Sequence, residues 1–386
     1  MTLSAVKLDV YRTAIPMRNF EHAAAQRELA EAVVVRIELS DGRAGWGETH
    51  PRLYVTGETS DTVLADLREI IWPALTAADL RPGELPTFPD HNPSGRCINA
   101  AACAAELAVA DALMGPEDWA NLTVPAQAAG RAGRYLPVRV SGVVGSADPT
   151  RTARQLWCMR VFGLRDFKLK LGLAEQIDHD NLAAVQWQIG KGLARGKLTL
   201  RVDANGAWPA DQTPQRVAEL EQWGVCAVEQ PAFCSAAELA ALAVRCELPL
   251  IADESLLTAS DAQVLLRAGG RIWWNIRISK NGGLARSLAL AQLAAEHGVP
   301  FALGCMVGET SILSAAQRRL LAACPPPRFV EGNYGRFLLR GDLARPSLRL
   351  GYAGRLKRLR GPGLGATVDE SRLARYGQLL ATLQAV

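Results

Sequence analysis

Residues 226–255 read CAVEQPAFCSAAELAALAVRCELPLIADES, one complete turn of a repeating pattern. A short β-rich run ending in an acid (CAVE) passes into an Ala/Leu-rich helical stretch, and a second β-rich run (LPLIAD) again ends in an acid. The same alternation extends outward on both sides from about residue 136. It yields eight strand candidates: VRVSGVVG (138–145), FKLKLG (167–172), LTLRVDANG (198–206), CAVEQP (226–231), LPLIADES (248–255), IWWNIRISK (272–280), VPFALGC (299–305) and PRFVEGN (327–333). Parallel neighbours can be joined only by a crossover, which a helix normally supplies. Strand–helix alternation therefore predicts a parallel sheet, and eight repeats predict a closed (β/α)8 barrel of the modified TIM type. The stretch is short for that fold, so the last helix is expected to be truncated or replaced.

Ahead of the barrel, residues 4–13, 32–40 and 43–49 read as strands, the last two forming a hairpin with Asp41-Gly42 at its turn. Helices are expected near 59–71 and 97–114, the second Ala-rich and closed by Gly115. The predicted organisation is an α+β capping domain over 1–130, to which 342–386 return, and a barrel over 131–341.

Composition narrows the function classes. Of 386 residues 49% are apolar and 21% charged, as in an ordinary soluble protein. A net charge of +4, with no interleaving of aromatic and basic residues, argues against a nucleic-acid partner. The cluster Arg355, Lys357, Arg358 and Arg360 reads as a solvated face. No apolar run is long enough to span a membrane and the N-terminus lacks a signal pattern, so a cytoplasmic protein is expected. Eight cysteines at irregular spacing, none in a CxxC pair, read as reduced thiols.

Barrel enzymes work at the C-terminal ends of their strands. Asp203, Glu229 and Asp253 stand there on successive strands, 26 and 24 residues apart. Neighbouring strands are only about 4.8 Å apart, so the three carboxylates converge and repel unless a cation joins them. Oxygen ligation without His or Cys favours a hard ion, Mg2+ with Mn2+ as a substitute. Opposite them, the alternation of FKLKLG puts Lys168 and Lys170 on one face of a strand. Two inward lysines need anionic company, and burial beside a second cation is expected to lower a lysine pKa toward that of a general base.

Taken in order, FKLKLG, RVDANG (201–206), VEQP (228–231), ADES (252–255), NIRISKNGG (275–283) and GCMVGETSI (304–312), with GWGE (45–48) in the capping domain, resemble the enolase superfamily and its muconate-lactonizing subgroup. The resemblance implies that Asp203, Glu229 and Asp253 bind the metal, that Lys168 polarises the substrate carboxylate, and that Lys170 exchanges the α-proton through an enediolate. It further implies that Asn205 and Glu254 orient ligands, that Glu309 polarises groups near the reacting centre, and that the chain forms a homo-oligomer.

The chain departs from the family where the sixth strand usually ends in lysine, for that place holds Arg277. Arginine is effectively never deprotonated, so it cannot be the second base of a racemase. Lys280 follows three residues later and could replace it only if its loop turned inward. In the eighth strand Glu331, with Asn333 nearby, stands where dipeptide-acting members carry an acidic pair. The capping loops NFEHAAAQRE (19–28) and THPRLYVTGET (49–59) offer His22, Arg52 and Tyr54 as contacts to the distal end of a substrate. The expected function is a one-base cycloisomerase or lyase of muconate-lactonizing type, acting on a small-molecule carboxylate. The alternatives are a racemase or epimerase of an amino-acid derivative, a hydroxy-acid dehydratase, and a catalytically silent carboxylate-binding barrel.

Overall fold

A computed structural model describes residues 3–22, 25–122, 133–145, 147–268 and 271–385. Strands β1 (Ala5–His22), β2 (Ala25–Leu39) and β3 (Ala44–Thr49) form an antiparallel sheet. Its free edge beyond β1 is taken by β16 (Gly377–Gln384), giving the order β16-β1-β2-β3. The first strand runs past the expected residue 13 because the ladder resumes after an irregularity beyond Pro16, pairing Phe20 with Arg27 and His22 with Ala25. Residues 19–22 and 25–28 of NFEHAAAQRE, read as a loop, are thus strand.

Helix α1 (Asn99–Leu113) packs on β2 and β3 and is buried on nearly every side, which its alanines permit. The glycines of GWGE complete the fit. A side chain at Gly47 would overlap the Ala104 carbonyl, so only glycine lets helix and strand approach this closely.

The barrel strands are β5 (Gly142–Val144), β6 (Asp166–Lys170), β7 (Thr199–Asp203), β8 (Val228–Glu229), β9 (Leu250–Ala252), β10 (Ile272–Ile276), β11 (Phe301–Leu303) and β12 (Phe329–Val330). They lie side by side in chain order, all parallel. The ring closes through a parallel bridge between Val140 and Val330, where the Ser141 N–H donates to the Val330 carbonyl at 2.7 Å. Seven crossover helices surround it: α2 (Pro149–Val161), α3 (Glu175–Ala194), α4 (Thr213–Leu220), α5 (Ala236–Val244), α6 (Ala259–Leu266), α7 (Leu284–Glu296) and α8 (Ser311–Ala323). After β12 the described chain has only a 3-10 turn at Gly335–Phe337 where an eighth crossover would stand.

The remaining strands are short ribbons. β4 (Tyr135–Arg139) pairs with β14 (Arg355–Lys357), and β13 (Ala344–Arg345) pairs with β15 (Thr367–Val368). One apolar cluster fills the barrel and its helices, and a second fills the space between the capping sheet and α1. No described helix is long and apolar enough to cross a membrane.

Candidate active site

Strand alternation and register build the site. In β6, Lys168 and Lys170 share a face; in β7, Arg201 and Asp203 do the same, and the register sets Lys168 beside Arg201 and Lys170 beside Asp203. All four are buried. Asp203 is in turn the register partner of Glu229 on β8.

The Lys170 ammonium donates to Asp203 at 2.6 Å and to the Asn205 side-chain oxygen at 2.9 Å. Asn205 is held in place by its left-handed backbone, φ 46°, and by its N–H donating to Asp203 at 2.9 Å. Deeper in the barrel, Lys168 donates to Glu229 at 3.0 Å and stands 2.7 Å from Glu331. The Arg201 guanidinium lies 3.1 Å from Glu331 and 4.1 Å above the Phe329 ring.

These contacts set the ionisation. Burial alone would push Lys168 down, but Glu229, Glu331 and Asp203 outweigh it and raise its pKa. The expected lowering by a neighbouring cation is therefore corrected for Lys168, because three carboxylates surround it. Burial opposes ionisation of Asp203 too, yet Lys170 and Lys168 hold it well below the usual carboxylate range. Against the same burial, Lys168 and Arg201 hold Glu331 at about 2. Glu229 goes the other way, pushed up to about 7 by burial, which Lys168 offsets only in part, and by the neighbouring acids. Burial and Asp253 push Glu254 up to about 8, and burial does the same for Glu309.

Arg277, at the end of β10, closes the far side. Its guanidinium pairs with Asp253 and reaches Glu229 at 3.5 Å. Lys280 is inward, as its loop does turn, but its ammonium is engaged by the carbonyls of Asp253 at 2.6 Å and Asn275 at 2.8 Å and by the Asp253 carboxylate at 3.2 Å. Two hydrogen bonds to backbone carbonyls and an ion pair to the carboxylate make Lys280 an anchor beneath Asp253.

The donor set suits a hard cation: three buried carboxylates on adjacent strands, Glu229 poorly compensated, and a Glu254 oxygen buried without a hydrogen-bond partner. With Arg277 lying against Asp253 and Glu229, no three His, Cys, Asp or Glu side chains among the described residues are grouped to enclose an ion. The donors fit the metal, and Arg277 would compete with it for two of them.

The other expected residues divide by position. Glu309 accepts from the Met306 N–H at 2.7 Å, and the Met306 sulfur lies 3.8 Å from Arg277. Arg52 is buried and donates to the carbonyls of Pro51 at 2.9 Å and Glu31 at 3.0 Å, so it ties its loop to β2. Tyr54 is half-buried on the one-turn helix Leu53–Thr56. The side chain of His22 lies outside the described residues.

Three positioning residues were not singled out from the sequence. Arg201 shares the face of Asp203, the same alternation that flagged the lysines. Asn275 shares the face of Arg277 and donates to Glu229 at 2.8 Å; its amide oxygen fills the space a side chain at Gly304 would need. Gln230, from VEQP, accepts from the N–H groups of Asp253 at 3.0 Å and Ser255 at 3.2 Å and so fixes ADES.

Known proteins give this geometry a lineage. Residues 151–372 match the family described as enolase C-terminal domain-like. The chain is 27% identical to the N-succinyl-L-Arg/Lys racemase of Bacillus cereus over 320 residues, 82% of this chain and 83% of that one. It is 31% identical to the L-Ala-D/L-Glu epimerase of Escherichia coli over 313 residues, 80% and 88% of the two chains. A chloromuconate cycloisomerase of Cupriavidus pinatubonensis is 32% identical over 214 residues, 55% of this chain and 56% of that one. The crystal structure of the Bacillus cereus racemase superposes with a TM-score of 0.83 at 23% identity, covering 99% of this chain and 100% of that one, which shows a shared fold. With the family match covering more than half of the chain, from the first barrel helix onward, this chain belongs to the enolase superfamily.

Proposed function

We propose that the chain is an isomerase acting α to a carboxylate of a small amino-acid derivative, with Lys170 taking the proton from one face and water supplying one to the other, since Arg277 does not release its own. The observation that carries this reading is Lys170 itself. It is a buried ammonium at the mouth of the barrel, aimed by Asp203 and Asn205 and facing the metal carboxylates. Five cations (Lys168, Lys170, Arg201, Arg277 and Lys280) meet four carboxylates (Asp203, Glu229, Asp253 and Glu331) in one connected network, a surplus that suits an anionic substrate.

Asp203, Glu229 and Asp253 would hold Mg2+. When bound, the ion supplies the positive charge that stabilises the carboxylate as the α-proton leaves. Lys168 and Arg277 add fixed positive charge on either side of that point. The substrate class rests on the relatives, whose names include an N-succinyl-L-Arg/Lys racemase and a hydrophobic dipeptide epimerase. They move the weight from the muconate-type reaction to an epimerase or racemase. The second reading, a one-base cycloisomerisation, rests on Arg277, which supplies charge on the face opposite Lys170 but no proton shuttle.

The test is incubation with Mg2+ in D2O against N-succinyl amino acids, dipeptides and muconate, followed by NMR and chiral separation. Deuterium is expected at the α-carbon, with inversion supporting the epimerase and lactone formation the second reading. Lys170→Ala should lower exchange by about 10^2–10^4-fold, the usual worth of a positioned acid–base group, while keeping the circular dichroism of the folded barrel. Exchange that persists in Lys170→Ala would overturn the assignment of the base.

A further inference from the structure

The opposite end of the barrel carries a feature that the proposed reaction does not use. Arg165 immediately precedes β6 and Leu198 precedes β7, so both lie at the N-terminal ends of strands whose C-terminal ends bear Lys170 and Asp203. Together with Arg139, Arg160, Arg355 and Tyr352 they line a cavity of about 360 Å3. All four arginines are exposed. Among the described residues none of them has an ion-pair partner, and the acid next in sequence, Asp166, accepts instead from the Thr199 hydroxyl at 2.6 Å.

Two of these arginines are in an arrangement that costs stability by itself. The β4–β14 ribbon sets Arg139 directly opposite Arg355, and like charges directly opposed across an antiparallel pair repel. The wall behind them is fixed, since the Ala353 N–H donates to the Phe162 carbonyl at 2.8 Å and the Val140 N–H to the Gly354 carbonyl at 2.9 Å. The ribbon therefore holds the two arginines opposite each other on a rigid platform, Arg355 lying 5.8 Å from the Tyr135 ring, and Arg160 and Arg165 line the same cavity. Of the donors involved, Arg160 spends one on the Gln188 carbonyl at 2.6 Å.

We propose that this cavity is an anion site, separate from the barrel mouth, that takes a small polyphosphate whose adjacent phosphate groups span the four guanidiniums. Planar guanidinium forks match phosphate oxygens in pairs, and four of them call for more than one phosphate group. The Tyr352 ring, 67% exposed at the rim and packed edge-on against Phe162, offers a stacking face to a nucleoside. The shared chemistry is the phosphate chain, free or carried by a nucleotide.

Isothermal titration calorimetry in metal-free buffer at about 0.15 M salt, where loose surface attraction is screened, would use sodium tripolyphosphate and ADP as probes. Saturable binding of one equivalent per chain is expected, weakened at least about tenfold (about 1.4 kcal/mol) in Arg139→Gln/Arg355→Gln. Arg139→Lys/Arg355→Lys, which keeps charge and loses the fork, should fall between. In the absence of any anion the Gln pair should melt higher than wild type at low salt, because the opposed charges are gone; this also shows that the variant folds. Tighter binding of ADP that Tyr352→Ala selectively weakens would assign a nucleotide, and equal affinities would assign the phosphate chain alone. Binding that does not saturate, that is unchanged in the Gln pair, or that appears only with an oligonucleotide would overturn the proposal.

Discussion

A guanidinium keeps its charge at any pH a folded barrel survives. Arg277 thus preserves a cation where a lysine is expected while removing a proton carrier. Because its side chain lies against Asp253 and Glu229, it would also compete with a cation for them. Arg277→Lys should raise inversion of the α-carbon by about tenfold or more, an acid–base group having been restored; chiral chromatography of the recovered substrate would show it. No gain in inversion would mean that the opposite face is served by another group. Much of this site is legible in single residues: alternation exposes Lys168 and Lys170, and equal phase exposes Asp203, Glu229 and Asp253. The ionisation of Lys168 is not, because it depends on Glu331, which comes from a strand more than 150 residues away in the chain. Gln230 escaped for a similar reason, since its role exists only once β8 and β9 lie side by side.

Among elements, the helices α7 and α8 begin on acids that belong to the capping domain. Glu106 of α1 accepts from the N–H groups of Leu284 and Ala285, and Glu48 of β3 accepts from the N–H groups of Thr310 at 2.9 Å and Leu313 at 3.0 Å. Each carboxylate meets the positive end of a barrel helix. Burial pushes Glu106 up to about 8, against the pull of the two N–H donors and Arg286. Below about pH 4.5 the group is protonated folded or unfolded. Between there and about 8 the folded state keeps a proton that the unfolded chain releases, so this contribution to stability falls as pH rises through the window. Glu106→Gln should flatten that part of the melting-temperature profile, and a profile with unchanged slope would count against the assignment. Neither capping contact was legible in sequence, because the acid and the helix it caps share no local spacing. The helices themselves were, and so was a last crossover truncated or replaced, which the shortness of the whole barrel segment implied.

At the scale of the molecule, eight strand runs in order were enough to foresee a parallel barrel. The closing contact between Val140 and Val330 was not foreseen, since it joins positions nearly 200 residues apart through a single bridge. Asp203, Glu229 and Asp253 stand at the ends of three adjacent strands, so a cation that drew them together would favour the whole folded chain over the unfolded one. At a hundredfold excess over its dissociation constant, Mg2+ is expected to add about 2.7 kcal/mol, read as a higher melting temperature that Asp203→Asn/Asp253→Asn abolishes. Calorimetric scans with and without EDTA would decide it, and an unchanged melting temperature would leave Arg277 as the resident counter-ion of Asp253. The two carboxylates that start α7 and α8 have one more consequence, for recombination. A capping domain transplanted from a relative would bring its own loops, yet it would dock only if it also carried acids at the places of Glu48 and Glu106. Specificity in this lineage is therefore inherited in whole modules only between chains whose seams already match.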